Sequence, residues 1–221
     1  MTHIMFDLET WGVTPGSDIR SIGAVVFDPL AGTLGAEFYV NVSGGARHGL
    51  IREPETVKFW DDQPEDTVAL LLESQVPMAI GLAQFAGWLE DHAGTDLGLW
   101  SHGPHFDEAI LAAVYRAAGQ TVPWGHRAPR DTRTIYEAAG WPSIPFQGVQ
   151  HYALDDARHQ ARVVNESYRR LLAPRELLAE SGELFRFYEA SHRAKPATDD
   201  TISKAERNAE IAGRIEGLLA A

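Results

Sequence analysis

The chain contains no cysteine. That absence removes disulfides, zinc–thiolate centres and cysteine nucleophiles, and it fits a reducing compartment. Lysine is scarce: only Lys58, Lys195 and Lys204 occur among 19 basic residues. No apolar run approaches the roughly 20 residues that span a bilayer, so no membrane partner is expected. The N-terminus lacks a basic stretch followed by an apolar block. A cleaved signal is therefore not expected, and the chain reads as cytoplasmic.

Net positive charge is also missing. The formal charge is −12 over 221 residues, which at first argues against a nucleic-acid partner. The charge is uneven, however. Residues 116–175 hold nine arginines, no lysine and five acids, a balance of +4 that leaves −16 to the remainder. Arginine's planar fork suits phosphate. An acidic chain with a local basic face still binds a strand when metal ions offset part of its charge. With 44% hydrophobic and 23% charged residues, the length supports one sizeable core and an appendage.

The stretch that organises the rest is Phe6-Asp7-Leu8-Glu9-Thr10, which follows His3-Ile4-Met5. It reads as a short apolar strand carrying two acids. Side chains alternate along a strand, so Asp7 and Glu9 share a face. Adjacent carboxylates in an apolar strand repel and resist burial. A divalent cation removes that cost, and hard oxygen ligands suit Mg²⁺ or Mn²⁺.

Residues 19–27 and 34–42 complete an antiparallel meander with the first strand. Helical patterns follow at 54–60, 67–73 and 79–92, then a short strand at 96–101 and a helix at 106–118. A short edge strand is expected at 127–132 and a helix at 134–139. A long helix at 153–172 is expected to stop before Pro174. The succession predicts a mixed, five-stranded sheet flanked by helices, an α/β fold. The division expected is a domain over 1–174 and a helical extension over 175–221. In that extension Ile211, Ile215, Leu218 and Leu219 form an amphipathic stripe. It reads first as packing within its own chain, with a homodimer contact as the alternative.

Two further segments carry acids. Ser101-His102-Gly103-Pro104-His105-Phe106-Asp107 follows a strand and opens a helix, so Asp107 sits in a first helical turn, where the dipole favours an anion. His151-Tyr152-Ala153-Leu154-Asp155-Asp156 opens the long helix. His151 and Asp156 are about 140° apart on a continuous helix and converge only if His151 lies in the preceding loop, as Gly148 suggests. Of the adjacent acids Asp155 and Asp156, one faces the sheet and the other solvent. His102 and His105 give His-x2-His-x-Asp, but the ligands straddle a Gly-Pro turn and no further cluster supports zinc.

Taken in order, Asp-x-Glu on a first strand, Phe-Asp opening a middle helix and His-x4-Asp opening the last resemble the His-containing branch (DEDDh) of the DEDD 3′–5′ exonuclease superfamily, over residues 3–172. Residues 56–60 and 130–134 look like its bacterial and phage exoribonuclease-like group. The resemblance implies a ribonuclease H-like fold and hydrolysis of single-stranded RNA or DNA from the 3′ end to nucleoside 5′-monophosphates. It implies two Mg²⁺ or Mn²⁺ ions: Asp7, Glu9 and Asp156 holding one, Asp7 and Asp107 the other, with His151 as general base. Leu8 and Trp11 would line the terminal nucleotide's pocket and Phe106 would stack on a base. Trp60 divides between substrate contact and core packing. Arg130 and Arg133 divide between strand phosphates and a solvated face. The competing readings are an endonuclease of related fold and a nonenzymatic binding module that has kept the fold.

Overall fold

The computed structural model describes residues 1–103 and 105–220. Pro104, in the Gly-Pro turn considered above, lies outside the described residues. The elements are β1 (Thr2–Thr10), β2 (Ile19–Asp28), β3 (Thr33–Ser43), α1 (Pro54–Asp61), α2 (Glu65–Leu70), β4 (Val76–Pro77), α3 (Met78–His92), β5 (Leu97–Ser101), α4 (Asp107–Ala117), β6 (Pro129–Asp131), α5 (Thr132–Ala138), α6 (Ala153–Arg193) and α7 (Asp199–Ala220).

The sheet order is β4-β3-β2-β1-β5-β6. The first three strands form the antiparallel meander; β5 joins β1, and β6 joins β5, in parallel. The sheet is mixed and flanked by helices, as expected, but has six strands rather than five. The additional strand, β4, adds Val76 and Pro77 beside Val42 and Ser43. Two residues are too few to show alternation, and proline is tolerated because β4 is an edge.

β1 is buried on both faces. Ile4, Phe6 and Leu8 enter one core with Leu82 and Phe85 of α3 and Ile110, Leu111 and Val114 of α4. Met5 enters the opposite core with Tyr136 of α5 and Ala157, Ala161 and Val164 of α6. Ile4, Met5 and Phe6 are each 0% exposed. Burial of such side chains stabilises by about 1.5–3 kcal/mol each, enough to hold β1 against two mutually repelling acids. Asp7 and Glu9 continue the Met5 face beyond the apolar patch, at the carboxyl end of the strand.

Asp7 pairs across the sheet with Gly23. A Cβ on Gly23 would stand 2.2 Å from the backbone nitrogen of Leu154 and 2.3 Å from the carbonyl carbon of Ala153. The first turn of α6 therefore rests directly on the β2 backbone beside Asp7, an approach only glycine permits.

Pro174 does not end the long helix. α6 continues to Arg193 with Pro174 inside it. One missing N–H is tolerated at this exposed position because strong helix formers flank it on both sides.

The chain divides into two compact units, Met1–Tyr168 and Arg169–Ala221. In the second, Arg186 pairs with Glu189 and Glu216, and α7 buries Ala205, Ala212 and Ile215. A Cβ on Gly182 would meet Ile215 Cγ2 at 3.2 Å. Ile215 of the amphipathic stripe thus packs within its own unit, while Leu218 stays exposed. Among the described residues, no helix is long and apolar enough to cross a membrane.

Candidate active site

Four carboxylates reach one place from three elements. Asp7 and Glu9 come from β1 and Asp156 from the first turn of α6; each offers a ligand oxygen, and these atoms lie within 4.8 Å of one another. Asp107 opens α4, is 2% exposed, and its charge acts on both Asp7 and Glu9. Local backbone explains the aim of the last two. The Asp107 carboxylate accepts N–H groups from Leu8, His102 and its own backbone, and Asp156 accepts those of His151 and Tyr152. These include donors left free at a helix start.

The cluster is electrostatically costly. Burial first, then the neighbouring acids, pushes Asp7 and Glu9 well above the usual carboxylate range. Burial lifts Asp107 to about 7 and Asp156 to about 6, against the pull of their backbone donors. An acid whose pKa is raised by folding binds protons more tightly in the folded state, so its stabilising protonation is lost as pH rises through the folded value. The metal-free protein is accordingly expected to lose stability between about pH 4 and pH 7, by several degrees in unfolding midpoint. Thermal melts across that range, with and without Mn²⁺, check this: the metal should flatten the slope, and a midpoint rising with pH in metal-free buffer would contradict it. A set of hard, mutually repelling oxygens is the donor set that divalent cations satisfy.

His151 lies in the loop before α6, in the left-handed region at φ 62°, after Gly148 at φ 115°. A side chain in that conformation stores strain of the kind that gathers at functional sites. Asp155 ties the loop down. It accepts the Val149 N–H at 2.9 Å and pairs with Arg158, which also reaches Glu37 on β3. The two adjacent acids divide these tasks, Asp156 facing β1 and Asp155 securing the loop. The His151 ring stands edge-on to Phe59 and Trp60, at 5.2 and 6.1 Å. Burial lowers its pKa, leaving the imidazole neutral and able to accept a proton at neutral pH.

A cavity of about 530 Å³ opens over the cluster. Its wall includes Asp7, Leu8, Glu9, Trp60, Phe106, His151 and Asp156, all given roles from sequence, with Thr56 and Phe59 of the family-like stretch, and Glu55 and Gln160, which the sequence did not single out. Gln160 donates from Nε2 to Asp7 Oδ1 at 2.7 Å. It follows Asp156 by four residues, one helical turn, so the spacing was the available signal. Trp60 is buried yet lines the cavity, and its Nε1 donates to the Thr10 carbonyl at 2.8 Å.

Trp11 and Arg130 fall outside the cavity wall. The Trp11 ring is covered by Arg20 and Arg52. Arg130 turns its Nη1 onto the carbonyls of Arg127, Ala128 and Pro129. Arg133, exposed on α5, stands near the cluster without lining the cavity; its charge acts on His102 and Asp107. His102 bonds Thr132 at 2.9 Å and His105 is exposed. Neither joins a metal-capable group; among the described residues the one such group is Asp7, Glu9 and Asp156.

Solved structures share this architecture. The nuclease domain of 3′hExo, a DEDDh family member bound to rAMP, matches with a TM-score of 0.52 at 11% identity, over 75% of this chain and 90% of that one. E. coli exonuclease I in complex with a 5cy-dT13 oligonucleotide matches at 0.55 and 14%, over 82% of this chain and 43% of that one. S. pombe Pop2p, in an Mg²⁺- and Mn²⁺-bound form, matches at 0.51 and 15%, over 76% and 83%. At these identities the likeness establishes a ribonuclease H-like fold. No curated protein matches the sequence. The model of the Rv2179c-like 3′-5′ exoribonuclease domain matches residues 2–168, the whole of the unit that carries the acidic cluster but for Met1. The chain therefore belongs to the Rv2179c-like 3′-5′ exoribonuclease domain family and is a 3′–5′ exonuclease of the DEDDh type.

Proposed function

We propose that this protein removes nucleotides one at a time from the 3′ end of single-stranded nucleic acid, releasing nucleoside 5′-monophosphates with the help of two divalent ions. The convergence of Asp7, Glu9 and Asp156 within 4.8 Å beside buried Asp107, at the floor of a nucleotide-sized cavity, carries this reading. Asp7, Glu9 and Asp156 would hold one Mg²⁺ or Mn²⁺, and Asp7 with Asp107 the other. When bound, such a pair acidifies water and neutralises the phosphodiester.

The chain's own residues supply the rest. His151, neutral and in the cavity wall, takes the proton of the attacking water. Gln160 holds the Asp7 carboxylate in one orientation. Leu8 and Phe106 bracket the terminal nucleoside; stacking on an aromatic ring accepts any base and is worth about 1–3 kcal/mol. Arg133, exposed and with its charge felt at Asp107, would meet a strand phosphate. The ligands named for two of the structural neighbours, the mononucleotide rAMP and a dT13 oligonucleotide, agree with a nucleotide product and a single-stranded substrate.

The family description favours RNA. Digestion of matched end-labelled RNA and DNA oligomers, single- and double-stranded, with Mg²⁺ or Mn²⁺, tests the whole reading. The expected products are mononucleotides appearing from the 3′ end of single strands, with RNA cut faster. Cleavage of a circular single strand would instead mark an endonuclease.

A further inference from the structure

We propose that Arg20 is a positioning residue for the nucleotide cavity: its guanidinium, clamped between Trp11 and Trp60, sets the Trp60 wall against which His151 rests. The inference rests on the exonuclease reading for its catalytic consequence, but the clamp itself stands on geometry.

Arg20 lies on β2 and is 2% exposed. Its Cζ is 4.3 Å from the ring centroid of Trp11 and 4.3 Å from that of Trp60. Arg52 also stands 4.3 Å from the Trp11 centroid. Two guanidinium groups cannot share one ring face at that distance, so Trp11 is sandwiched. The result is a continuous stack, Arg52–Trp11–Arg20–Trp60, with the His151 ring edge-on at its end. Both ends are fixed. Arg52 pairs with buried Asp18 at 3.2 Å, and Trp60 is held through its Nε1 by the Thr10 carbonyl.

What holds Arg20 is unusual. Its Nε and Nη1 are buried without a hydrogen-bond partner among the described residues. A buried cation normally needs such partners. Here the aromatic faces take their place, an interaction that requires the flat guanidinium to lie against both indoles. Arg20, 4.3 Å from both ring centroids, therefore sets the Trp60 ring together with the Thr10 carbonyl. Burial pushes the Arg20 pKa down to about 10, which still leaves it charged at neutral pH, and Glu9 lies within reach of that charge. Lysine would keep the charge and lose the plane.

That difference gives the test. Arg20→Lys and Arg20→Met are compared with the wild type in the full chain. With saturating Mn²⁺, both variants are expected to lower kcat by about tenfold or more while KM moves less than about threefold, as a misplaced base predicts. Near-UV circular dichroism of the metal-free protein should lose tryptophan signal equally in both. Wild-type kcat in Arg20→Lys would overturn the clamp and leave only a charge effect. A lowered unfolding midpoint with wild-type kcat in both would overturn it too, as a purely structural role. If the wild type digests nothing, the exonuclease reading falls, and the circular dichroism decides alone: an unchanged tryptophan signal in Arg20→Lys would overturn the clamp, and a lost one would uphold it.

Discussion

Asp7→Asn is expected to lower metal-dependent digestion on the order of 10³-fold or more, while the protein stays folded. Asp7 touches every part of the site. It interacts with Asp107, Glu9 and Asp156, and it receives the Gln160 amide. Asparagine keeps the shape and an acceptor for Gln160 but removes one of the mutually repelling charges. The metal-free variant should therefore be at least as stable as the wild type near neutral pH. Its unfolding midpoint should no longer rise on adding Mn²⁺. Thermal melts beside digestion of an end-labelled oligomer read both effects. Wild-type activity in this variant would refute the role assigned to Asp7, whatever the fate of the other acids.

His151→Ala is expected to lower kcat by about 10²–10⁴-fold, the usual contribution of a positioned proton acceptor. The effect on strand binding should be small, because Leu8, Phe106 and Trp60 still wall the cavity. The loop should also hold its course, since Asp155 anchors it through Val149 and Arg158 rather than through the imidazole. Single-turnover rates and equilibrium binding of a non-hydrolysable oligomer separate the two quantities. A loss of affinity as large as the loss of rate would remove the base role and make His151 a binding residue.

Much of this site was legible because it depends on two simple periods. Alternation along β1 puts Asp7 and Glu9 on one face, and a loop followed by a helical turn brings His151 and Asp156 together; both need only backbone geometry. Gln160 was missed because an amide inside a helix carries no motif, although its distance from Asp156 is one turn. Trp11 lies outside the cavity wall for a reason its neighbours in sequence do not show. The resemblance implies that it lines the terminal nucleotide's pocket, but no motif reveals that Arg20 and Arg52 stand over its ring. The same holds for Arg130, whose Nη1 turns onto neighbouring backbone carbonyls. In the fold, β4 was too short to register. Pro174 was read as a stop because its local cost is real, yet the helix formers on either side outweigh it.

The bare position opposite Asp7 has an evolutionary corollary. Glycine at 23 admits the α6 backbone so closely that even one methyl group would collide with it. A single codon change to alanine would push the start of α6 off the sheet, and with it Asp156 and the Gln160 amide that holds Asp7. Descendants of this chain thus stand one mutation away from a protein that keeps all four acids in its sequence but no longer gathers them at one place. A count of acids alone would not tell such a descendant from a working nuclease.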